Sequence, residues 1–184
     1  MGLCDLSAGF SLQCKDGIGG IRSIYLVSRE DYLLGGVTLI NAGSQEVEGL
    51  PTMSVYQYTL PKHTGSFTEE VASSVDNGTI FYTQTVTATF HKLSAARRKQ
   101  LNIVAQNRLV VFVQDNNDNI WLVGKVDGAE VTAMSTATGT AKGDLNGYTI
   151  TFTAEEGNKA YRLESFTDVP FDNFPTVNVT APTI

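Results

Sequence analysis

The stretch "LVVFVQDNNDNIWLVGKVDG", residues 109–128, contains two apolar runs separated by a polar segment rich in Asp and Asn. The polar residues at alternate positions are Asp115, Asn117 and Asn119. This spacing is also that of the first ligands of a calcium loop, but such a loop needs glycine and glutamate where this chain has Ile120 and Val126. We therefore interpret the stretch as strands 109–113 and 120–126, joined by a turn that tolerates left-handed backbone.

Alternation of apolar and polar residues predicts further strands on both sides of this hairpin. In 147–156, the apolar Tyr148, Ile150 and Phe152 share one face, while threonines occupy the other. Segments 21–29 and 35–43 are predicted to pair with each other around a loop. The other predicted strands are 53–60, 79–90, 129–140 and 161–165.

One convincing helix is predicted at about 94–107, where Ser94 is a good N-cap and helix-forming residues follow. The residues expected to face the core are Ala96, Leu101, Val104 and Ala105. The residues expected to face outward are Arg97, Arg98 and Lys99. Two interpretations of these cations remain open: a solvated helix face, or a contact with acidic groups of a neighbouring subunit.

Residues 61–79, between two regular strands, show little periodicity and are predicted to form a long loop. Loops of this length inside a compact domain usually have a function, so we expect an assembly element. Its candidate contact residues are Lys62, His63, Phe67, Glu69 and Glu70.

The composition changes after Ser165, and we divide the chain into a domain at 1–165 and an extended C-terminal arm at 166–184. The arm contains three of the five prolines together with Phe166, Phe171 and Phe174. Prolines oppose regular pairing with the parent sheet. We therefore expect the arm to dock on another subunit or a neighbouring protein, and to be mobile in the free subunit.

Composition excludes several classes of protein. The apolar fraction of 42% is typical of a globular domain, whereas the charged fraction of 17% is below the roughly 25% that is usual. A net charge of -6 argues against a protein that binds nucleic acid through phosphates. The chain has no apolar run of about 18 residues and no secretory leader pattern, so we expect no membrane span and synthesis in a cytoplasm. Cys4 and Cys14 are then expected to be free thiols.

No catalytic or metal-binding constellation is found in the sequence. There is no nucleophile-elbow motif, and His63 and His91 lie in polar segments where a lone histidine is usually a surface residue. With these two histidines and two cysteines there is no zinc set. The glycines at 17–20 lead into a predicted strand and not into a helix, which argues against a phosphate loop. We expect neither catalysis nor a cofactor.

The order of elements resembles the tube-forming proteins of bacteriophage tails. The similarity lies in a strand pair with a long excursion, one helix, and a hairpin with glycine-containing phrases at 122–125 and 127–128. It continues in "TGTAKGDLNGYTITFTAEE", residues 138–156, where a glycine-acid turn precedes a threonine-rich strand. The resemblance covers about 79–163.

This resemblance implies a mainly β fold, an antiparallel sandwich or barrel with one flanking helix, whose sheets join those of neighbours to close a ring. It implies a homo-oligomer, commonly of six subunits, that stacks into a tail tube or connector of a virion beside other tail proteins. Phage DNA would pass through without specific binding. The alternative from a different class is a monomeric β-sandwich module that binds carbohydrate or peptide.

Overall fold

The computed structural model describes residues 9–10, 15 and 17–183, which form two β-sheets packed face to face. The prediction of a mainly β sandwich with a flanking helix is confirmed. Cys4 and Cys14 lie outside the described residues. The helices are α1 Arg29–Leu34 and α2 Ala95–Gln106. The strands are β1 Ile21–Ser28, β2 Leu39–Ile40, β3 Glu46–Gly49, β4 Met53–Thr59, β5 Gly65–Ser74, β6 Thr79–His91, β7 Leu109–Asp115, β8 Ile120–Val123, β9 Glu130–Ala137, β10 Gly147–Glu156, β11 Tyr161–Leu163 and β12 Val177–Thr180.

The large sheet has the strand order β12-β4-β1-β7-β8-β11-β3-β2, and it is buried on both faces. In β7, Val111 and Val113 pack toward the small sheet and α2, whereas Val110 and Phe112 pack in a second core on the opposite face. A strand buried on both faces has no solvated side that would require polar residues. This explains why residues 109–113 form a continuous apolar run.

The small sheet has the order β5-β6-β10-β9 and buries one face only. On β6, Val86 and Ala88 are fully buried, and on β10 Ile150 and Phe152 lie opposite them in register. The threonines between these positions point away from the large sheet. The alternation predicted for both strands is confirmed.

The turn between β7 and β8 is organised by the carboxylate of Asp115. One oxygen accepts hydrogen bonds from the backbone N–H groups of Asn117 at 2.8 Å and Asn119 at 2.9 Å. The other accepts from the indole N–H of Trp121 at 3.3 Å. The interpretation of this stretch as an Asx turn is therefore confirmed.

The predicted pairing of 21–29 with 35–43 is wrong. Strand β1 lies between β4 and β7, and the chain then forms the short helix α1, which buries Tyr32. Within the predicted segment 35–43 only Leu39–Ile40 is a strand, and it pairs with β3. Since β1 is apolar on both faces, it occupies the centre of the large sheet, where two neighbours are required.

The predicted helix is confirmed as α2, and the Ser94 side chain accepts a hydrogen bond from the backbone N–H of Arg97 at 3.2 Å. Leu101 and Val104 are buried as predicted. Ala96 and Ala105 are exposed, which contradicts the prediction. The helix therefore contacts the sandwich through a narrow stripe, and the methyl groups of Ala96 and Ala105 beside that stripe stay in solvent.

The prediction of a long loop at 61–79 is wrong as well. Residues 65–74 form β5, which pairs with β6 over ten positions from Gly65–Ala88 to Ser74–Thr79. Periodicity is weak in β5 because Glu69 occupies an inward position. Its carboxylate accepts hydrogen bonds from the Gln84 side chain at 3.2 Å and from the backbone N–H of Ala160 at 2.6 Å.

The C-terminal arm packs on its own subunit, which corrects the expectation of a mobile segment docked elsewhere. Phe171 and Phe174 are 3% and 2% exposed in the second core, while Phe166 packs at its margin. Strand β12 pairs in parallel with β4. Prolines allow this pairing because they precede and follow the strand and do not interrupt it.

Asp172 fixes the turn that leads Phe171 into the core, and we expect this contact to depend on pH. The backbone N–H of Asp168 first, and then those of Thr167 and Val169, hold the pKa of the Asp172 carboxyl below its usual 3.8. Because the pKa of this carboxyl is lower in the folded than in the unfolded state, the carboxylate stabilises the fold at pH values above its unfolded-state pKa. This stabilisation is lost as the pH falls through the folded-state pKa. The melting temperature of Asp172→Asn should therefore fall less than that of wild type between pH 5 and pH 2. If the melting temperatures of wild type and Asp172→Asn fall equally between pH 5 and pH 2, this role is contradicted.

Candidate assembly surfaces

The predicted contact residues of 61–79 do not form one surface. Lys62 and His63 are exposed in the turn before β5, and Glu70 is exposed on the outer face of the strand. Phe67 points inward, with its ring 6.4 Å from that of Trp121, and Glu69 makes the inward contacts described above. Of the five, Lys62, His63 and Glu70 are therefore accessible to a partner.

The outer face of the small sheet is polar and nearly uncharged. Threonine hydroxyls pair across its strands at 2.9–3.4 Å, in the pairs Thr87–Thr151, Thr89–Thr149 and Thr132–Thr153. The four strands contain no lysine or arginine. Glu70 and Glu155 flank Thr83 in register, so the charges near this end of the face are negative.

Both edges of the small sheet are open in the described part of the chain. Strand β5 has 10 residues and pairs only with β6, while β9 has 8 residues and pairs only with β10. Each edge therefore presents a row of backbone donors and acceptors without a strand partner. Long open edges are templates for pairing with another chain.

The β5–β6 hairpin extends beyond the rest of the small sheet. Pairing of β6 with β10 stops at Tyr82, so the hairpin is two-stranded beyond that residue. We call residues 71–81 the hairpin tip. Its exposed apolar side chains, between 38% and 95% accessible, are Val71, Val75, Ile80 and Phe81. Scattered exposed apolar residues are ordinary, but four on one protruding hairpin indicate a contact surface.

A groove of about 630 Å³ lies between β4, α2 and the end of β12. Its apolar lining includes Tyr56, Tyr58, Phe90, Tyr148 and Pro182. The Tyr58 ring lies 5.8 Å from that of Phe90, and the Tyr58 hydroxyl accepts a hydrogen bond from Gln100 at 3.4 Å. Burial raises the pKa of Tyr58, so its phenol stays protonated at neutral pH.

The rim of this groove is cationic. It includes His91, Lys92 and Arg97, and none of the described residues that line the groove is acidic. The Arg97 guanidinium is partly buried and donates to the carbonyls of His91 and Lys92, so it does not point outward as predicted. Arg98 and Lys99 are exposed, as predicted for the basic helix face.

Two buried polar side chains that sequence reasoning missed hold the loop after β8. Gln84 is 1% exposed and accepts a hydrogen bond from the backbone N–H of Gly124 at 3.1 Å. Glu156 is 5% exposed and accepts from the backbone N–H groups of Val126 at 2.9 Å and Asp127 at 3.0 Å. The only sequence signal is that both lie on the inward, otherwise apolar, positions of alternating strands.

The described residues show neither a cluster of metal ligands nor a membrane-spanning helix. Across residues 9–10, 15 and 17–183, no three His, Cys, Asp or Glu side chains are grouped in a way that could hold a metal ion. In that same part of the chain, neither helix is long and apolar enough to span a membrane. No protein-family model matches the chain, and a search of curated proteins finds no significant match.

Proposed function

We propose that the chain is a structural subunit that assembles into closed rings, and that the rings stack into a tube of the kind found in phage tails. The observation that supports this most is the small sheet, which combines two open edges with a polar outer face whose strands contain no lysine or arginine. Open edges favour pairing with further copies, and the polar face suits the wall of an aqueous channel.

Ring closure follows from the direction of the edges. Strand β5 lies at one edge and β9 at the other, so pairing β9 of one copy with β5 of the next is a heterologous contact. Repetition of such a contact closes a ring when the rotations add up to one full turn, and the four-stranded sheets then join into one continuous barrel. Closure removes both open edges of every small sheet, which resolves the aggregation hazard that these edges create in each isolated subunit.

The outer face then becomes the lining of the channel. DNA-binding proteins attract phosphates with clustered lysine and arginine, which these four strands lack. A lining of threonine hydroxyls with a few carboxylates attracts no phosphate backbone and repels it where Glu70 and Glu155 lie. This chemistry is more consistent with a conduit through which DNA slides than with a protein that reads DNA sequence.

A pair of proline substitutions in β9 tests ring formation. Backbone N–H groups of adjacent residues point to opposite sides of a strand, so Ser135→Pro and Thr136→Pro remove one donor to β10 and one donor to the open edge. We expect wild type to form rings in light scattering and electron microscopy. The proline variant that removes the N–H facing the open edge, which we call the edge-directed variant, should keep the wild-type melting temperature of the subunit but stay monomeric.

The inward-directed proline is the matched control, because it should lower the melting temperature by disrupting the β9–β10 ladder. Two results would contradict the proposal. One is a wild-type protein that remains strictly monomeric at high concentration. The other is a folded, edge-directed variant that forms the same rings as wild type.

A monomeric module for carbohydrate or peptide is the second candidate, and the aromatic groove favours it. Tyr56, Tyr58 and Phe90 form a concave apolar wall of the kind that small-molecule sites use. In this case the wild-type protein stays monomeric, and glycans or peptides quench tyrosine fluorescence at the groove. Tyr56→Ala should abolish that quenching.

A further inference from the structure

The hairpin tip and the groove lie at opposite ends of the same strand. The tip includes the first residue of β6, Thr79, whereas the groove is lined by Phe90, His91 and Lys92 at the other end. Strand β6 has 13 residues, which at about 3.3 Å per residue separates the two features by roughly 40 Å. Neither feature can reach the other within one subunit.

The two surfaces are complementary in polarity. Val75 at the apex of the tip is 95% exposed and Ile80 is 57% exposed. The groove offers Tyr56, itself 50% exposed, and a lining that also includes Tyr58, Phe90, Tyr148, Pro61 and Pro182. Each surface exposes apolar area to water in the isolated subunit, and mutual burial would remove both areas from water.

The two surfaces are also complementary in charge. Residues 65–90 contain Glu69, Glu70 and Asp76 but no lysine or arginine. Asp76 lies in the turn of the tip, next to the exposed Val75. The rim of the groove contains His91, Lys92 and Arg97 without an acidic residue among the described lining. Such an arrangement favours one orientation of approach and disfavours tip-to-tip or groove-to-groove contacts.

We infer that the occupant of the groove is the hairpin tip of a second copy of this chain. Val75 enters the apolar lining between Tyr56 and Pro182, and Asp76 reaches Lys92 at the rim. The contact is head-to-tail along β6, so each copy uses its tip toward one neighbour and its groove toward the other. This inference rests on the proposed function and names the contact that stacks one ring on the next.

The head-to-tail arrangement gives a mixing experiment with a distinctive result. Val75→Asp should block the tip and leave the groove intact, whereas Tyr56→Asp should block the groove and leave the tip intact. Both side chains are exposed, so both variants should fold and form single rings. Neither should form tubes alone. Equal parts of the two preformed rings should give stacks of two rings, because only one productive contact remains.

A charge exchange tests the rim separately. Asp76→Lys or Lys92→Glu alone should raise the protein concentration needed for tube formation about tenfold, and the double variant should restore it to within about threefold of wild type. Lys15→Glu makes the same charge change at an exposed position outside the groove, and should leave tube formation unchanged.

The outcomes separate this contact from ring assembly. Rings that stack normally with Val75→Asp, or single variants that the double variant does not rescue, overturn the inference and leave the ring proposal intact. A wild-type protein that forms no rings overturns both, unless it forms linear head-to-tail chains that Val75→Asp abolishes. Those chains would support the contact alone. Quenching at the groove by a glycan, with wild-type tubes unaffected by it, would assign the groove to another occupant.

Discussion

Replacing Phe171 with alanine is expected to lower the free energy of unfolding of the isolated subunit by about 3–5 kcal/mol. Phe171 is 3% exposed, and its ring meets those of Tyr25 and Phe112 edge-on, with centroids 5.0 Å and 5.3 Å apart. Removal of the ring leaves a cavity under the large sheet and also loses two aromatic pairs. The effect should appear in denaturant unfolding at concentrations where oligomers are absent.

The backbone of Phe171 shows how firmly the core holds this side chain. Its φ angle is +70°, a left-handed conformation that is unfavourable for a bulky residue. The conformation persists because the surrounding core determines the position of the ring. The Tyr25 hydroxyl beneath it is part of a buried network with Gln114 at 3.0 Å, and burial raises the pKa of Tyr25 to about 12. Loss of the Phe171 ring opens this network to solvent.

Val169→Ala is the matched control on the same arm. Val169 is 59% exposed, so its substitution should change stability by no more than about 0.5 kcal/mol. Truncation after Ser165 removes β12 together with both buried phenylalanines, and should abolish cooperative unfolding. A Phe171→Ala variant as stable as Val169→Ala would show that the arm does not contribute to the core in solution.

Replacing Gly124 with alanine should cost about 3 kcal/mol or more. Gly124 has a φ angle of +70°, and a Cβ atom there would lie 2.6 Å from the backbone nitrogen of Ala129 and 2.7 Å from the carbonyl carbon of Gly128. These are backbone atoms of the same tight loop, and they cannot move aside as a flexible side chain does. The loop is fixed further by the hydrogen bonds that its backbone N–H groups donate to the side chains of Gln84 and Glu156.

Gly78→Ala separates the steric effect from the conformational one. Gly78 has a similar φ angle of +63°, but a Cβ atom there would meet nothing within 4 Å. Its replacement should therefore cost only about 1 kcal/mol, the penalty for left-handed backbone. Unfolding curves of the two variants, measured side by side, should differ in midpoint. Equal losses would mean that the close approach at Gly124 imposes no constraint.

Several features of the fold were predictable because they depend on local chemistry. The faces of β6 and β10 follow from alternation, the start of α2 follows from the Ser94 cap, and the β7–β8 turn follows from Asp115. Strands β3, β5 and β12 and helix α1 were missed. In β5 the inward Glu69 obscures the pattern, because its hydrogen-bond partner Ala160 lies 91 residues away. No local window of sequence includes that partner.

The candidate surfaces show the same division. The sequence singled out the basic residues of α2 and the segment 61–79 as candidates, but it did not reveal the tip or the groove. The groove requires Tyr56 from β4, Phe90 from β6 and Pro182 from the end of the chain to meet. Arg97 was expected to face outward, and it turns back to the His91 carbonyl because the chain folds against its own helix there.

The sequence by itself determined where most of the strands and the main helix form, since periodicity, capping and turn residues act over a few neighbouring positions. It also determined the absence of cations from the small sheet. Only the tertiary structure decided that the large sheet is buried on both faces, that the C-terminal arm completes its second core, and that the two edges of the small sheet stay open. These outcomes depend on which distant segments bury one another's apolar surface. Phe171 packs against Tyr25, and neither the sequence of the C-terminal arm nor that of β1 predicts this contact by itself.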